Sequence, residues 1–334
     1  MFSSFLGRDR HFGHFGSYEN GNYSVVMFND GTKIRMLNDG ETEMKPSRVE
    51  CIDLKITDYC DMGCPMCYEC SSKMGKHASF NAIRSLLDSI DDFTEIAVGG
   101  GNPLSYPNLD ELLQMCSNRN ILLNMTVNAR HFMQPKNLKN IRSSLYYGEI
   151  NGLGISLPSD YSTEQTKELC RELNGRSDYR NAVIHVINGL VTLEQLRLLE
   201  KYKMKVLILG YKDKGRGEQL KRNKASDIER NQELLRNELE RLISMAKIVS
   251  FDNLAIEQLN IRDFCDKQGI EFNRLYMGDD GEFTMYVNLV DETFAISSTV
   301  KDKYKIRDYT NSFDVQVMFD KVRKEKQERE RKNG

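Results

Sequence analysis

The sequence predicts an α/β protein built on a mainly parallel sheet, and three observations lead to that prediction. Six short apolar runs alternate with five helical segments between residues 51 and 209. Asp-Gly turn signals at 30–31 and 39–40 split the preceding region into short alternating strands, and Asp291-Glu292 marks another hairpin near the C-terminus. Strands that alternate with helices favour a parallel sheet with right-handed crossovers, which closes as a barrel, stays an incomplete barrel or forms a doubly wound sheet.

The individual elements follow from apolar periodicity and from capping residues such as Ser79 and Thr192. Strands are predicted at 51–57, 95–98, 121–127, 154–157, 182–187 and 206–209, and helices at 81–90, 109–116, 135–145, 163–173 and 192–202. The polar segment 211–226 is interpreted as a long loop, and a charged helix is predicted to follow over 227–245.

Composition limits the class of protein. The chain has 334 residues, of which 40% are hydrophobic and 29% charged, and such a chain can bury a sizeable core. A net charge of −2 gives no general attraction to nucleic acid or anionic membranes. No run approaches the roughly 18 apolar residues of a membrane span, and the first residues lack the apolar core of a secretory signal. We therefore expect a cytoplasmic protein with no membrane partner.

Four of the eight cysteines lie within eleven residues, directly after the first predicted core strand. These are Cys60, Cys64, Cys67 and Cys70, and the other four are scattered along the chain. Soft thiolate ligands select zinc or an iron–sulfur cluster. Zinc sites usually have two separated pairs of ligands, and the second pair is missing here. A zinc site made of all four clustered cysteines stays open as an alternative.

The C-x₃-C-x₂-C spacing of Cys60, Cys64 and Cys67 resembles the signature of the radical S-adenosylmethionine (SAM) superfamily. The resemblance covers roughly residues 50–250 and implies a parallel, partial (β/α)6-type barrel with short antiparallel hairpins at its N- and C-terminal ends. It also implies that these three cysteines hold a [4Fe–4S] cluster whose fourth iron binds SAM. The family often has an aromatic residue just before the third cysteine, where this chain has Met66, and Tyr68 is expected to supply that contact.

Other positions are predicted to contact SAM from the ends of successive strands. Gly99, Gly100, Gly101 and Asn102 resemble the glycine-rich segment that binds the SAM amino group, although Gly101 stands where the family commonly has Glu. Ligands of parallel sheets lie at the carboxyl ends of the strands. The remaining candidates, which lie near such ends, are Asn128, Ser156, His185, Asn188 and the backbone at Leu209.

The domain prediction divides the chain into five parts. These are an irregular arm at 1–16, an N-terminal hairpin extension at 17–50, a radical SAM core at 51–250, a C-terminal extension capping the barrel at 251–320 and a charged tail at 321–334. No second cysteine cluster occurs near the C-terminus, so a single cluster is expected.

The resemblance further implies reductive cleavage of SAM to a 5′-deoxyadenosyl radical that abstracts hydrogen from a substrate. It implies an electron donor such as flavodoxin or ferredoxin, and a peptide or protein side chain as substrate, because small members of the family often act on peptides. Radical modification of a nucleoside, nucleotide or nucleic acid stays open, since segment 211–226 carries six basic and two acidic residues. A non-catalytic zinc protein is the third possibility. The sequence assigns no catalytic side chain.

Overall fold

A computed structural model describes residues 14–28 and 32–333 of the chain. The chain enters through a three-stranded antiparallel sheet formed by β1 (His14–Asn20), β2 (Tyr23–Phe28) and β3 (Lys33–Leu37). Most of the predicted arm at 1–16 and the Asp-Gly turn at 30–31 lie outside the described residues. The last three residues of that arm are already part of β1, so the arm was predicted to extend too far.

The main sheet contains six successive parallel strands separated by helices, which confirms the predicted α/β class. Its strands follow the order β10-β9-β8-β7-β6-β5-β4-β11-β12-β13. The elements of its first part are β4 (Cys51–Thr57), α1 (Phe80–Asp88), β5 (Glu95–Gly100), α2 (Leu109–Asn118), β6 (Leu122–Asn128), α3 (Ala129–Phe132), α4 (Pro135–Tyr146), β7 (Gly152–Ser156), α5 (Thr163–Asn174), β8 (Ala182–Ile187), α6 (Leu193–Lys201) and β9 (Lys205–Leu209).

The C-terminal part extends the same sheet at both edges. Its elements are α7 (Arg216–Met245), β10 (Ile248–Phe251), α8 (Asn253–Leu259), α9 (Ile261–Lys267), α10 (Phe272–Leu275), β11 (Thr284–Asn288), β12 (Thr293–Ala295), β13 (Tyr304–Lys305) and α11 (Val315–Asn333). Strand β10 runs parallel to β9, and β11 runs parallel to β4. The predicted C-terminal hairpin is the antiparallel pair β11–β12, and it continues the main sheet.

The predicted loop at 211–226 is wrong from Arg216 onward, because α7 begins there. Its first turns contain good helix formers and the i,i+4 ion pair between Glu218 and Arg222. The two glycines that suggested a loop stand at the N-cap and in the first turn, where they interrupt few helical hydrogen bonds. Only Lys224 departs from helical dihedral angles inside α7.

The two faces of the parallel strands have different chemistry, as the period of two predicts. Outward-facing side chains such as Ile52, Leu54 and Ile56 are fully buried against the helices. The inward face carries polar residues, including Asp53 and Thr126, which are not buried. The barrel therefore has a packed apolar exterior layer and a polar, accessible interior.

The N-terminal sheet covers the amino ends of the parallel strands. Tyr23, Val25 and Met27 of β2 form an apolar cluster with Leu122, which starts β6, and with Phe283 before β11. This contact leaves the opposite, carboxyl end as the open entrance of the barrel. Among the described residues, every helix is too short or too polar to span a bilayer.

Candidate functional site

The cysteine loop, defined as residues 58–78 between β4 and α1, lies at the carboxyl end of the barrel. It folds back on itself, since the Cys60 amide donates to the Ser72 carbonyl at 2.9 Å and the Asp58 amide donates to the Lys76 carbonyl at 2.8 Å. The segment after β5 holds its start, because the Gly101 amide donates to the Thr57 carbonyl at 2.7 Å. Backbone bonds from two sides therefore fix where the loop begins and ends.

The three predicted cluster ligands lie together in this loop as free, half-buried thiols. The Cys67 amide donates to the Cys64 carbonyl at 3.2 Å, which closes a tight turn between the second and third cysteine. Burial raises the pKa of Cys60 and Cys64, and each is raised further by neighbouring cysteine thiolates. Thiolates that repel one another in a desolvated loop are stabilised by a bound metal centre, so the donor set fits an iron–sulfur cluster.

Cys70 differs from these three cysteines. It is exposed, it has a left-handed φ of 54°, and its amide bonds to the Cys67 carbonyl at 3.3 Å. Within residues 14–28 and 32–333, no three His, Cys, Asp or Glu side chains are close enough together to hold a single metal ion. The fit of the loop to a cluster therefore depends on the donor chemistry and the position of the three thiols.

The three glycines at the carboxyl end of β5, Gly99 to Gly101, serve two different purposes. Gly100 has φ +124°, and a Cβ atom there would lie 2.3 Å from the Thr57 carbonyl oxygen. A Cβ atom on Gly101 would lie 2.2 Å from the Tyr59 carbonyl oxygen. Both glycines are thus required by the close backbone approach of the cysteine loop. A Cβ atom on Gly99 would meet nothing within 4 Å, so this glycine leaves open space on the inner face.

Asn102 is buried, and local hydrogen bonds occupy its side chain. Its Oδ1 accepts from the Leu104 amide at 3.2 Å, and its Nδ2 donates to the Ser105 hydroxyl at 2.8 Å. This arrangement caps the short 3₁₀ turn at Pro103–Ser105. The placement argues against the ligand role that the sequence suggests for the Asn102 side chain.

Asn128 and Ser156 are neighbours at the carboxyl ends of β6 and β7, paired in register on the inner face. The Asn128 amide nitrogen lies 3.8 Å from the Cys64 sulfur, and its Oδ1 accepts from the Arg130 amide at 2.9 Å. Capping of α3 therefore holds the Asn128 side chain beside the cysteine loop. Both residues are half-buried and face the space where a ligand of the loop would lie.

His185 faces the barrel interior from β8, next to Ser156 in register. Its ring lies over Gly154, where a Cβ atom would come within 2.4 Å of the ring carbon Cε1. Burial lowers the pKa of His185 to about 4. The imidazole is therefore neutral near pH 7 and can both donate and accept a hydrogen bond.

Asn188 and Leu209 have structural partners. Asn188 is 0% exposed, and its Nδ2 donates to Gln258 Oε1 at 3.1 Å. The Leu209 carbonyl already accepts from the Asn188 amide at 2.8 Å. A ligand cannot reach Asn188 without rearrangement, which argues against a binding role for its side chain.

Tyr68 connects the cysteine loop to two distant segments. The Lys212 ammonium lies 4.0 Å from the centre of its ring, and both the Tyr68 hydroxyl and Lys212 hydrogen-bond the Ser298 hydroxyl, at 3.4 and 3.2 Å. Burial raises the pKa of Tyr68. Because Lys212 follows β9 and Ser298 follows β12, this contact connects segments from the two opposite ends of the main sheet.

Sequence reasoning missed three sets of residues that hold the cysteine loop. Asp61 Oδ1 lies 2.6 Å from His131 Nε2 of α3, and this bond lowers the pKa of Asp61. Buried Lys55 pairs with Asp58 at 2.6 Å and with Glu69. Arg216 of α7 bonds to backbone carbonyls of the loop. Apart from the local Lys55–Asp58 pair, these partners are far apart in the chain, and no sequence motif marks them.

Comparison with known proteins finds one matching family model and solved structures of similar fold. Residues 54–188 match the model of the Radical SAM superfamily. No curated protein matches the sequence. The crystal structure of Streptococcus suis SuiB bound to the precursor peptide SuiA is similar, with a TM-score of 0.55 and 15% identity over 84% of this chain and 67% of that one.

A second SuiB structure, bound to S-adenosylmethionine, has a TM-score of 0.51 and 15% identity over 84% of this chain and 68% of that one. At this identity the likeness shows the fold alone. The matched residues begin in β4 and end just after β8, and they include the whole cysteine loop. With the C-x₃-C-x₂-C loop at the carboxyl end of the parallel strands, residues 54–188 form a domain of the radical SAM superfamily.

Proposed function

We propose that this enzyme uses a [4Fe–4S] cluster and SAM to abstract hydrogen from a peptide or protein side chain. The match of residues 54–188 to the radical SAM family implies SAM and an iron–sulfur cluster. The observation that carries the proposal is the presence of three half-buried free thiols in one loop at the open end of the barrel. Cys60, Cys64 and Cys67 would hold the cluster, and exposed Cys70 would stay outside it.

SAM would occupy the inner face beside the loop. Gly99 leaves room for it there, and Asn128 and Ser156 present polar groups to the same space. Neutral His185, one strand further on, would donate a hydrogen bond to the ligand from the barrel interior. Gly100, Gly101 and Asn102 would act indirectly, because they fix the start of the cysteine loop and the turn after β5.

When bound, the cluster and SAM supply a 5′-deoxyadenosyl radical, which a small electron-transfer protein such as flavodoxin or ferredoxin would help to generate. The chain itself orients the ligands and excludes water from them. The bridge of Tyr68, Lys212 and Ser298 would serve the second purpose, since it connects segments from the two opposite ends of the main sheet. We also propose a division into domains, in which residues 51–250 would form the core and residues 251–320 would cap the barrel.

Several basic residues at 211–226 are bonded to other groups of the protein, which favours a peptide substrate over a nucleic acid. Lys221 pairs with Asp213, Arg222 pairs with Glu218, and Arg216 bonds to carbonyls of the cysteine loop. The hydrogen-bond donors of these three side chains have partners within the protein, which leaves fewer donors for phosphates. The SuiB fold, which holds a precursor peptide in one structure, supplies the analogy for a peptide.

The test uses the anaerobically reconstituted wild-type protein with SAM and a chemical reductant. We expect methionine and 5′-deoxyadenosine to form, and a short peptide encoded beside the gene to change in mass when it is added. The Cys64→Ala variant is the matched control and should leave both SAM and the peptide unchanged. A modification found only in nucleosides or nucleic acid would overturn the peptide assignment, and a colourless zinc protein that never cleaves SAM would overturn the enzyme mechanism.

A further inference from the structure

The first turn of α7 is seated directly on the cysteine loop. The Arg216 amide donates to the Cys67 carbonyl at 3.1 Å, and the Arg216 Nε donates to the Cys64 carbonyl at 2.9 Å. Its Nη1 and Nη2 atoms both donate to the Ser71 carbonyl at 3.1 Å. One residue therefore holds the backbone of two predicted cluster ligands and the end of the segment that carries them.

The backbone around Arg216 is shaped for this contact. Gly215 has φ +56°, and a Cβ atom there would lie 2.4 Å from the Tyr68 carbonyl oxygen. At Gly217 a Cβ atom would lie 2.5 Å from the Lys212 carbonyl oxygen and 3.3 Å from that of Met66. Any larger residue at 215 would push α7 away from the loop, so the contact depends on glycine there.

The charge of Arg216 has no acidic partner. Among the described residues, no carboxylate forms an ion pair with its guanidinium, whereas Arg222 on the next turn pairs with Glu218. Neutral carbonyls satisfy the donors of Arg216 without cancelling its charge. The guanidinium is half-buried, so solvent screens it only in part. The positive end of the α7 dipole adds to it at the same place.

We propose that Arg216 is a positioning residue that fixes the loop around the cluster and raises the reduction potential of the cluster. This inference rests on the proposed function. Reduction adds one electron, and therefore one negative charge, to the cluster. A fixed positive charge next to two ligand residues stabilises the reduced form more than the oxidised form, and net charge and hydrogen bonding are known determinants of cluster potentials.

The experiment compares Arg216→Gln, Arg216→Lys and the control Arg222→Gln, each reconstituted anaerobically without substrate. Reductive titration followed by electron paramagnetic resonance gives the midpoint potential, and iron analysis gives the occupancy. We expect Arg216→Gln to shift the potential to a more negative value and to weaken cluster retention against a chelator about 10- to 100-fold. Arg216→Lys should keep the potential closer to that of the wild type, because it keeps the charge. Arg222→Gln should match the wild type in both.

Loss of iron from Arg216→Gln, with an unchanged melting temperature of the iron-free protein, would also support the positioning role. A Gln variant with wild-type occupancy and an unchanged potential would overturn the inference while leaving the proposed function intact. A wild-type protein that takes up no iron would overturn both.

Discussion

The two ends of the barrel differ in which reactive side chains they leave available to a ligand. At the amino end, Glu50 is fully buried and bonded to Lys33 at 3.3 Å, to Arg35 at 3.0 Å and to the Tyr23 hydroxyl at 2.6 Å. At the carboxyl end, three half-buried cysteines are free of disulfides, and a Cβ atom on Gly99 would meet nothing within 4 Å. Charged side chains pair at both ends, but at the open end the Lys55–Asp58 pair and the backbone bonds hold the cysteine loop without using its three predicted cluster ligands.

We infer from this difference that the amino end of the sheet mainly stabilises the fold, whereas the carboxyl end carries the chemistry. The closed end contributes to folding through pairs that no ligand can reach. The open end keeps its three predicted cluster ligands outside the ion pairs and takes its rigidity from surrounding segments, as is common where the loops of a barrel carry the active site. Substitutions at the amino end should therefore mainly lower the stability of the fold, and substitutions at the carboxyl end should mainly affect the binding of iron or SAM.

The largest loss of stability is expected for Glu50→Gln. Removing one member of a buried ion-pair group leaves the charges of Lys33 and Arg35 without their main partner, which costs about 3 kcal/mol or more. Urea unfolding of the iron-free protein measures this loss. The control Asp88→Asn breaks an exposed pair with Arg119 and should change the free energy by less than about 0.5 kcal/mol. Equal effects of the two substitutions would contradict a special role of the closed end.

The same group predicts a dependence on pH. Burial alone would raise the pKa of Glu50, but Lys33 and Arg35 outweigh it and hold the pKa below its ordinary value. The carboxylate therefore contributes stability above the pKa of the unfolded chain, and that contribution is lost as the pH falls through the lower pKa of the folded protein. The difference in unfolding free energy between wild type and Glu50→Gln should shrink at acidic pH.

Within the open end, Gly99 and Gly100 should respond in opposite ways. Gly100→Val forces a side chain into the Thr57 carbonyl, and we expect a loss of about 1–3 kcal/mol together with poor iron uptake. Gly99→Val adds a side chain in open space and should leave the melting temperature unchanged. It should weaken SAM binding about tenfold, or about 1.4 kcal/mol, as measured by calorimetric titration of the reconstituted protein. Unchanged SAM affinity in Gly99→Val would show that the carboxyl end of β5 does not contact SAM.

The smallest effect is expected from His185. Its folded pKa of about 4 lies below the ordinary value of 6.5, so the neutral ring contributes stability above about pH 6.5 that is lost as the pH falls toward 4. His185→Gln removes this titration. Wild type should lose more unfolding free energy than the variant between pH 7.5 and 4.5 in urea unfolding of the iron-free protein. Parallel losses in both proteins would show that His185 does not titrate in this range.

Local patterns predicted most of the fold. Strand β4 and strand β8 have the predicted bounds, since apolar alternation and flanking turn residues define both ends. The cysteine spacing likewise identified the loop, because three ligands in one short segment are a local signal. The start of α7 was missed, since glycine at 215 and 217 indicates a loop unless the contact with Tyr68 and Lys212 is known.

The long-range contacts that hold the cysteine loop could not be predicted from local patterns. Asp61 and His131 are separated by 70 positions, and Arg216 and Ser71 by 145. Such pairs exist only after the sheet has formed, and no spacing in the sequence marks them. The glycines at the carboxyl end of β5 illustrate the same limit, because the sequence shows three consecutive glycines and only the backbone geometry distinguishes Gly99 from the other two.

The most direct test of the account is the iron and sulfide content of single cysteine variants after identical anaerobic reconstitution. Wild type and Cys70→Ala should each bind about four irons per chain. Cys60→Ala, Cys64→Ala and Cys67→Ala should each retain almost none and should form no 5′-deoxyadenosine. Full iron loading of Cys64→Ala, or loss of iron in Cys70→Ala alone, would contradict the assignment of the three thiols to the cluster.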